Sequence, residues 1–275
     1  MPFSILILTK NEEVSLPGCL TSVAWADDIV VLDSYSTDRT VAIAQASGAR
    51  VIQRTFDDYA SQRNAGLAVP FHHPWVYLMD ADERIPEELH REMTERCRSA
   101  APEVDVFLLR RKDMFWGRWL RRSSFYPTWA PRLVRVGAAR YTRAVNEELR
   151  WTGRAEHLDE HFLHFPFEKG LAFWFERHNR YSAMEAKALL VEINLPNEWH
   201  ALWRKDLVAR RRACKQLAYR LPGRSFLVFI YLYVVRMGFL DGVPGYVYAR
   251  LRSLYEYMID VKVKELRCRQ EERPF

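Results

Sequence analysis

Phe3-Ser4-Ile5-Leu6-Ile7-Leu8-Thr9-Lys10-Asn11-Glu12-Glu13 begins as an apolar run broken only by Ser4 and ends in a polar, acid-bearing segment. The run reads as a buried strand. Outward from it, Leu16–Trp25 carries apolar residues at 16, 20, 23 and 24, which suits a helix. Ile29-Val30-Val31-Leu32 is a second buried strand, ending at Asp33. Val41–Ala46 opens a helix that Gly48 can close, and Val51-Ile52 begins a third strand. A helix fits Tyr59–Leu67, and Trp75–Met79 is a fourth strand. Apolar strands separated by helical segments predict an α/β fold, with a mostly parallel, Rossmann-like sheet and helices on both faces.

Such sheets bind ligands beyond the carboxyl ends of their strands. Three polar segments follow strands there: Thr9 to Glu13, Asp33 to Asp38, and Asp80-Ala81-Asp82-Glu83. Two carboxylates in a D-x-D can approach one divalent cation if the backbone bends, and hard oxygen ligands suit Mg²⁺ or Mn²⁺ with a diphosphate. The plain alternative is a solvated acidic turn before Pro86; the place at the ligand rim favours the functional reading. Ser36, Thr37 or Asp38 can cap a helix, while Asp33 can accept a hydrogen bond from a base or ribose. No G-x-G-x-x-G or G-x-x-x-x-G-K-[ST] loop is present in these segments, which argues against a dinucleotide oxidoreductase and a P-loop NTPase.

Read in order, Ser4–Glu13, Trp25–Thr40 and Asp80–Arg84 resemble family-2 glycosyltransferases of the GT-A fold, most closely the lipopolysaccharide-core β-glucosyltransferase-like branch. The resemblance continues through Gly117-Arg118-Trp119, Tyr126-Pro127, Arg132-Leu133, Phe162–Phe165, Asn179–Ser182 and Gly238–Gly242, so it spans most of the chain. It implies an inverting transfer from a nucleotide sugar, UDP-glucose or another UDP-hexose, to a hydroxyl of a cell-envelope glycan or glycolipid. A polyprenyl-linked or exopolysaccharide intermediate is the alternative acceptor.

The resemblance places Thr9, Asn11 and Glu12 in the nucleoside pocket, with Asp33 reading the base. Arg63 and Asn64 match a pair near the donor phosphates. Asp80, Ala81 and Asp82 sit by ribose, diphosphate and metal, Asp82 being the direct ligand. Glu147 matches the catalytic base, and a late histidine, His164, matches a residue that completes metal coordination. Without the resemblance, Glu147 reads as an exposed acid beside Arg143 and Arg150, and His164, in Phe162-Leu163-His164-Phe165, as a core histidine that His157 and His161 could be confused with. Two residues depart from the pattern: Tyr35 stands where a small residue is common, and Asn146 where the branch commonly has His.

A single displacement needs one carboxylate to take the acceptor proton, whereas a retaining glycosidase needs two flanking one bond. Glu147 and Glu148 are adjacent and point apart, so they do not form that pair. Residues 107–132 interleave aromatics with arginines, and Trp116, Arg118, Tyr126, Trp129 and Arg132 are candidates for an acceptor site; a core hairpin with a basic face reads equally well.

The 275 residues allow one large domain with an appendage. We expect a glycosyltransferase domain over 1–195, with a nucleotide-sugar half (1–100) and an acceptor half (101–195), then a helical, basic and aromatic region over 196–275. Net charge is +6, from 41 basic and 35 acidic side chains. Residues 200–225 alone hold eight Lys/Arg against Asp206, a local +7, while residues 1–199 stand at −3. Ser225–Leu240 is the most apolar stretch and, at 16 residues with Arg236 inside, falls short of the roughly 20 needed to span a bilayer. Together these predict contact of 200–260 with an anionic inner-membrane surface from the cytoplasm, with a homo-oligomer interface or core helix as alternatives. Four separated cysteines and the lack of a basic leader fit a reducing cytoplasm. A nucleic-acid partner is disfavoured by the acidic rim, and a non-catalytic nucleotide-sugar binder is the remaining class.

Overall fold

Strand β1 (Phe3–Thr9) sends alternate side chains into two cores. Phe3, Ile5 and Ile7 join Leu16, Leu20, Val31, Leu89 and Met93, while Leu6 joins Val30, Leu32, Ala60, Val76 and Leu78. The computed structural model describes residues 2–142, 148–194, 203, 210, 223–271 and 273.

After β1 come α1 (Leu16–Ser22), β2 (Ile29–Asp33), α2 (Thr40–Ala46), β3 (Arg50–Gln53), α3 (Tyr59–Leu67), β4 (Trp75–Asp80), β5 (Glu83–Arg84) and α4 (Glu87–Ser99). β6 (Val104–Phe115), β7 (Arg118–Trp119), β8 (Trp129–Arg135), β9 (Ala139–Thr142), β10 (Glu148–Trp151) and β11 (Arg154–His164) follow. The helices α5 (Gly170–Asn194), α6 (Arg224–Ile230) and α7 (Gly242–Gln270) complete the order.

The main sheet runs β3-β2-β1-β4-β8-β6-β11-β5. Its first four strands are parallel, as the alternating pattern predicts. β8 is antiparallel to β4 and β6, and β11 runs parallel to β6 and antiparallel to β5. Residues of α1, α2 and α4 fill one core, and α3 with the antiparallel pair β9 and β10 covers the other face.

At the end of the sheet away from the acidic rim, Asp28 is fully buried and joins three segments. Ser4 Oγ and the His72 amide donate to Oδ2 at 2.5 and 2.9 Å, and Arg50 Nη2 donates to Oδ1 at 2.8 Å. Burial alone would raise this carboxyl; those donors outweigh it and hold it below its ordinary range.

The chain divides into two units, residues 1–115 with 125–169, and residues 116–124 with 170–275. The division differs from the expected one at 195/196, because α5 shares a core with α7 through Ala186, Leu189, Leu190, Ile259 and Val263. Lys262 Nζ adds hydrogen bonds to Asn179 Oδ1 and Ser182 Oγ at 2.7 and 2.8 Å. The excursion 116–124 belongs to the second unit because buried Asp241 Oδ2 accepts from the amides of Arg122 and Ser123 and from Ser123 Oγ, at 2.9, 2.7 and 2.8 Å.

Candidate active site

The segments after β1 and β2 are stitched together across their backbones. Lys10 Nζ donates to the carbonyls of Ser34 and Tyr35, both at 2.7 Å. The Asn11 amide donates to Ser36 Oγ at 2.8 Å, and Asn11 Oδ1 accepts from the Thr37 amide at 2.9 Å. Asn11 and Tyr35 take left-handed backbone conformations, φ 54° and 55°, to make this turn. The latter is disfavoured for a bulky residue, so Tyr35 is held there by the Lys10 bond on its carbonyl. Glu12 pairs with Lys169 at 2.6 Å, which brings the end of the first unit to the same rim.

Asp33 is buried and its carboxylate is occupied. Oδ1 accepts from Thr9 Oγ1 and Ser36 Oγ at 2.9 and 2.5 Å, and Oδ2 from the Ser36 amide and Gln53 Nε2 at 2.8 and 3.1 Å. Burial would raise its pKa, but these donors lower it. Asp33 and Thr9 therefore brace the turn after β2, and a role for Asp33 in reading a base requires one of these donors to yield.

The D-x-D turn resolves into two carboxylates with different work. Asp80 lies between guanidinium groups, Arg63 Nη2 at 3.1 Å and Arg132 Nη2 at 2.7 Å. Burial opposes its charge, and Arg132 and Arg63 overcome that to hold it far below the ordinary range. Arg132 also pairs with Glu83, which is buried beneath the turn. Burial, joined by the charges of Asp80 and Asp82 and opposed by Arg132, pushes Glu83 up to about 7. Ala81 is buried between the two aspartates.

Asp82 faces His164, with Oδ2 and Nε2 3.5 Å apart. The other imidazole nitrogen, Nδ1, is held by Asp113 at 2.7 Å, and Arg111 Nε supports Asp113 at 2.9 Å. Burial works against a charge on His164, yet Asp82 and Asp113 outweigh it and push the imidazole up to about 9. Strand pairing produces this arrangement: β11 sets His164 opposite both Asp113 and Glu83, and the Phe165 amide donates to the Asp82 carbonyl at 2.8 Å. His157 and His161 are engaged elsewhere, the first edge-on against Trp129 and the second 2.8 Å from Tyr126 Oη.

A carboxylate orienting one imidazole nitrogen while the other faces a hard ligand is the usual support for a metal-binding histidine. Among the described residues no three His, Cys, Asp or Glu side chains are grouped as a metal cage. Asp82 and His164 thus fit a divalent cation that takes its remaining ligands from a bound diphosphate, and binding it would displace the imidazole proton.

The profile described as glycosyl transferase family 2 matches residues 4–162, more than half the chain and all of the rim segments. The chain belongs to glycosyltransferase family 2. This glycosyltransferase is 25% identical over 280 residues to an uncharacterized glycosyltransferase of Rickettsia conorii, covering 95% of this chain and 89% of that one. It is 31% identical over 146 residues to the lipopolysaccharide core biosynthesis glycosyltransferase LpsC of Rhizobium meliloti, covering 51% of this chain and 53% of that one. Among solved structures, residues 1–349 of S. aureus TarS align over 97% of this chain and 91% of theirs, at 16% identity and a TM-score of 0.45.

Several expected site residues of the glycosyltransferase sit differently from the expectation. Asn64 turns its amide to β9, donating from Nδ2 to the Tyr141 carbonyl at 2.9 Å and accepting at Oδ1 from the Tyr141 amide at 2.8 Å. Arg132 is part of the Asp80–Glu83 ion-pair cluster, not an exposed acceptor surface. Trp116 and Arg118 belong to the second unit, whereas Tyr126 and Trp129 belong to the first. Trp129 is partly exposed, with the Arg110 guanidinium over its ring at 5.4 Å. Glu147 lies outside the described residues, immediately before β10. Sequence reasoning missed Glu83, Asp113 and Lys169. The pairing of β11 with β5 and β6 exposes the roles of the first two; Glu83 lies within the rim segment read from the sequence, but no local pattern marks Asp113 or Lys169.

Proposed function

We propose that this family 2 glycosyltransferase moves a hexose, with inversion, from a UDP-hexose to a hydroxyl of a cell-envelope glycan or glycolipid such as lipopolysaccharide core. The Asp82–His164 pair braced by Asp113 at the end of β4 is the observation that carries the reading. The name of LpsC supports the acceptor class, and the sequence resemblance supports UDP-glucose as donor.

Asn11, Glu12 and the turn at Tyr35–Thr37 form a rim for the nucleoside, stiffened from below by Asp33. Asp82 and His164 would hold Mg²⁺ or Mn²⁺, which when bound offsets the charge that gathers on the departing diphosphate. Arg63 and Arg132 neutralise Asp80, so the donor diphosphate meets a less repulsive floor. Trp129 with Arg110 offers a stacking ring beside a cation for an acceptor sugar or phosphate. Glu147 takes the acceptor hydroxyl proton on its carboxylate as the new glycosidic bond forms and the bond to diphosphate breaks.

Calorimetry with UDP-glucose, UDP-galactose, UDP-GlcNAc, GDP-mannose and dTDP-sugars tests the donor site. One UDP-hexose binds in Mn²⁺, and binding is lost in EDTA and in Asp82→Ala. Glu147→Gln keeps that binding and loses turnover by about 10²–10⁴-fold. Undiminished donor binding by Asp82→Ala, or binding of none of these donors by the folded protein, overturns the reading.

A further inference from the structure

Within the second unit, the stretch from Arg224 to Ala249 contains three charged residues, and none is turned outward as a free charge. Arg224 is buried against Glu256 and Asp260, at 3.1 and 2.9 Å. Arg236 Nε donates to the Arg122 carbonyl at 3.2 Å, and Asp241 is buried on the amides of Arg122 and Ser123. Outward-facing positions are instead apolar: Phe226, Leu227, Val235, Phe239, Leu240 and Val243 are 46–68% exposed. A patch of this kind is unusual on a surface that meets only water.

The patch lies on a fixed knee. The segments Arg224–Val235 and Gly238–Gln270 meet at 71°, and by length and composition alone the bent pair is apolar enough for a broken span or a re-entrant loop. Among the described residues no single helix is long and apolar enough to cross a membrane. Gly238 and Gly245 make the bend tight: a Cβ on Gly238 would sit 2.4 Å from the Leu232 carbonyl oxygen, and one on Gly245 2.3 Å from that of Gly238. Exposed Tyr231 and Tyr246, each with an apolar ring and a polar hydroxyl, suit the boundary between hydrocarbon and headgroups.

Charge selects the occupant. Seven Lys/Arg and one Asp fall in residues 200–222, directly ahead of the knee in sequence. That run, a net +6 in the sequence, favours an anionic lipid surface over an uncharged or cationic partner. We infer that the knee formed by residues 224–246 inserts its apolar side into an anionic lipid bilayer. This stands independently of the donor and acceptor assignments.

Vesicle co-sedimentation of the full chain tests it, with phosphatidylcholine alone and with about 30% phosphatidylglycerol added. The protein binds the anionic vesicles, more weakly as salt rises. Leu240→Glu/Val243→Glu on one arm and Phe226→Ser on the other each weaken binding by about tenfold or more, with the melting temperature kept. Equal binding by wild type and both variants overturns the inference. So does a wild-type dimer in analytical ultracentrifugation that the same substitutions dissolve, since the knee would then be covered by a second copy.

Discussion

The Asn64 side chain closes two hydrogen bonds on the Tyr141 residue, six positions before Glu147. Tyr141 is buried, so Asn64→Ala leaves an amide and a carbonyl without those partners, at a cost of about 1–3 kcal/mol. We expect that loss in urea denaturation, together with slowed transfer and unchanged donor affinity. Loss of donor affinity at unchanged stability would instead put Asn64 on the phosphates. Residues of this kind show how far the sequence could be read. Asp33, Asp80 and Asp82 are visible because they end apolar strands, and strand ends face the ligand rim. Asp113 is invisible because its meaning lies in its register with His164, 51 residues away, and Asn64 because its partner is a backbone 77 residues away.

At the scale of elements, the parallel strands β1 to β4 and the helices between them were legible, since each is a short apolar or 3.6-periodic run closed by polar residues. The later strands were not, because β6, β8 and β11 carry arginines and histidines that local patterning assigns to a surface. The buried Asp28 under the legible half supplies a test of the element scale, since it ties β1 to β3 and to the segment entering β4. Its folded pKa lies below its ordinary value, so the unfolded chain takes up the proton first as pH falls. The stability it contributes is therefore present above the ordinary carboxylate range and disappears as pH drops through the folded value. Asp28→Asn should be less stable than wild type by about 1–3 kcal/mol at neutral pH, with the two urea midpoints converging in acid. A gap that stays constant across that titration would mean packing, not charge, is what Asp28 provides.

At the scale of the molecule, the second unit owns nine residues, 116–124, that the chain reaches in the middle of the first. Asp241 is their anchor. Asp241→Ala removes the acceptor for two amides and a hydroxyl, and we expect a loss of about 3 kcal/mol from the second unit, with faster hydrogen exchange at Arg122 and Ser123. Unchanged exchange at those amides would show that another contact holds the excursion. This boundary could not be read from composition, which changes near residue 200, because it depends on a carboxylate bonded across about 120 residues of chain.

That bond also imposes an order on synthesis. A ribosome delivers 116–124 more than a hundred residues before it delivers Asp241, so these amides emerge without their acceptor and hold to water until Asp241 follows. His164 likewise reaches Asp113 and Asp82 only when β11 has left the exit tunnel. A chain that stops before residue 164 lacks the imidazole that sits beside the D-x-D, and one that stops before 241 lacks the acceptor for the amides of the excursion. The Asp241 anchor of the second unit therefore becomes available later in synthesis than the Asp82–His164–Asp113 contacts of the first.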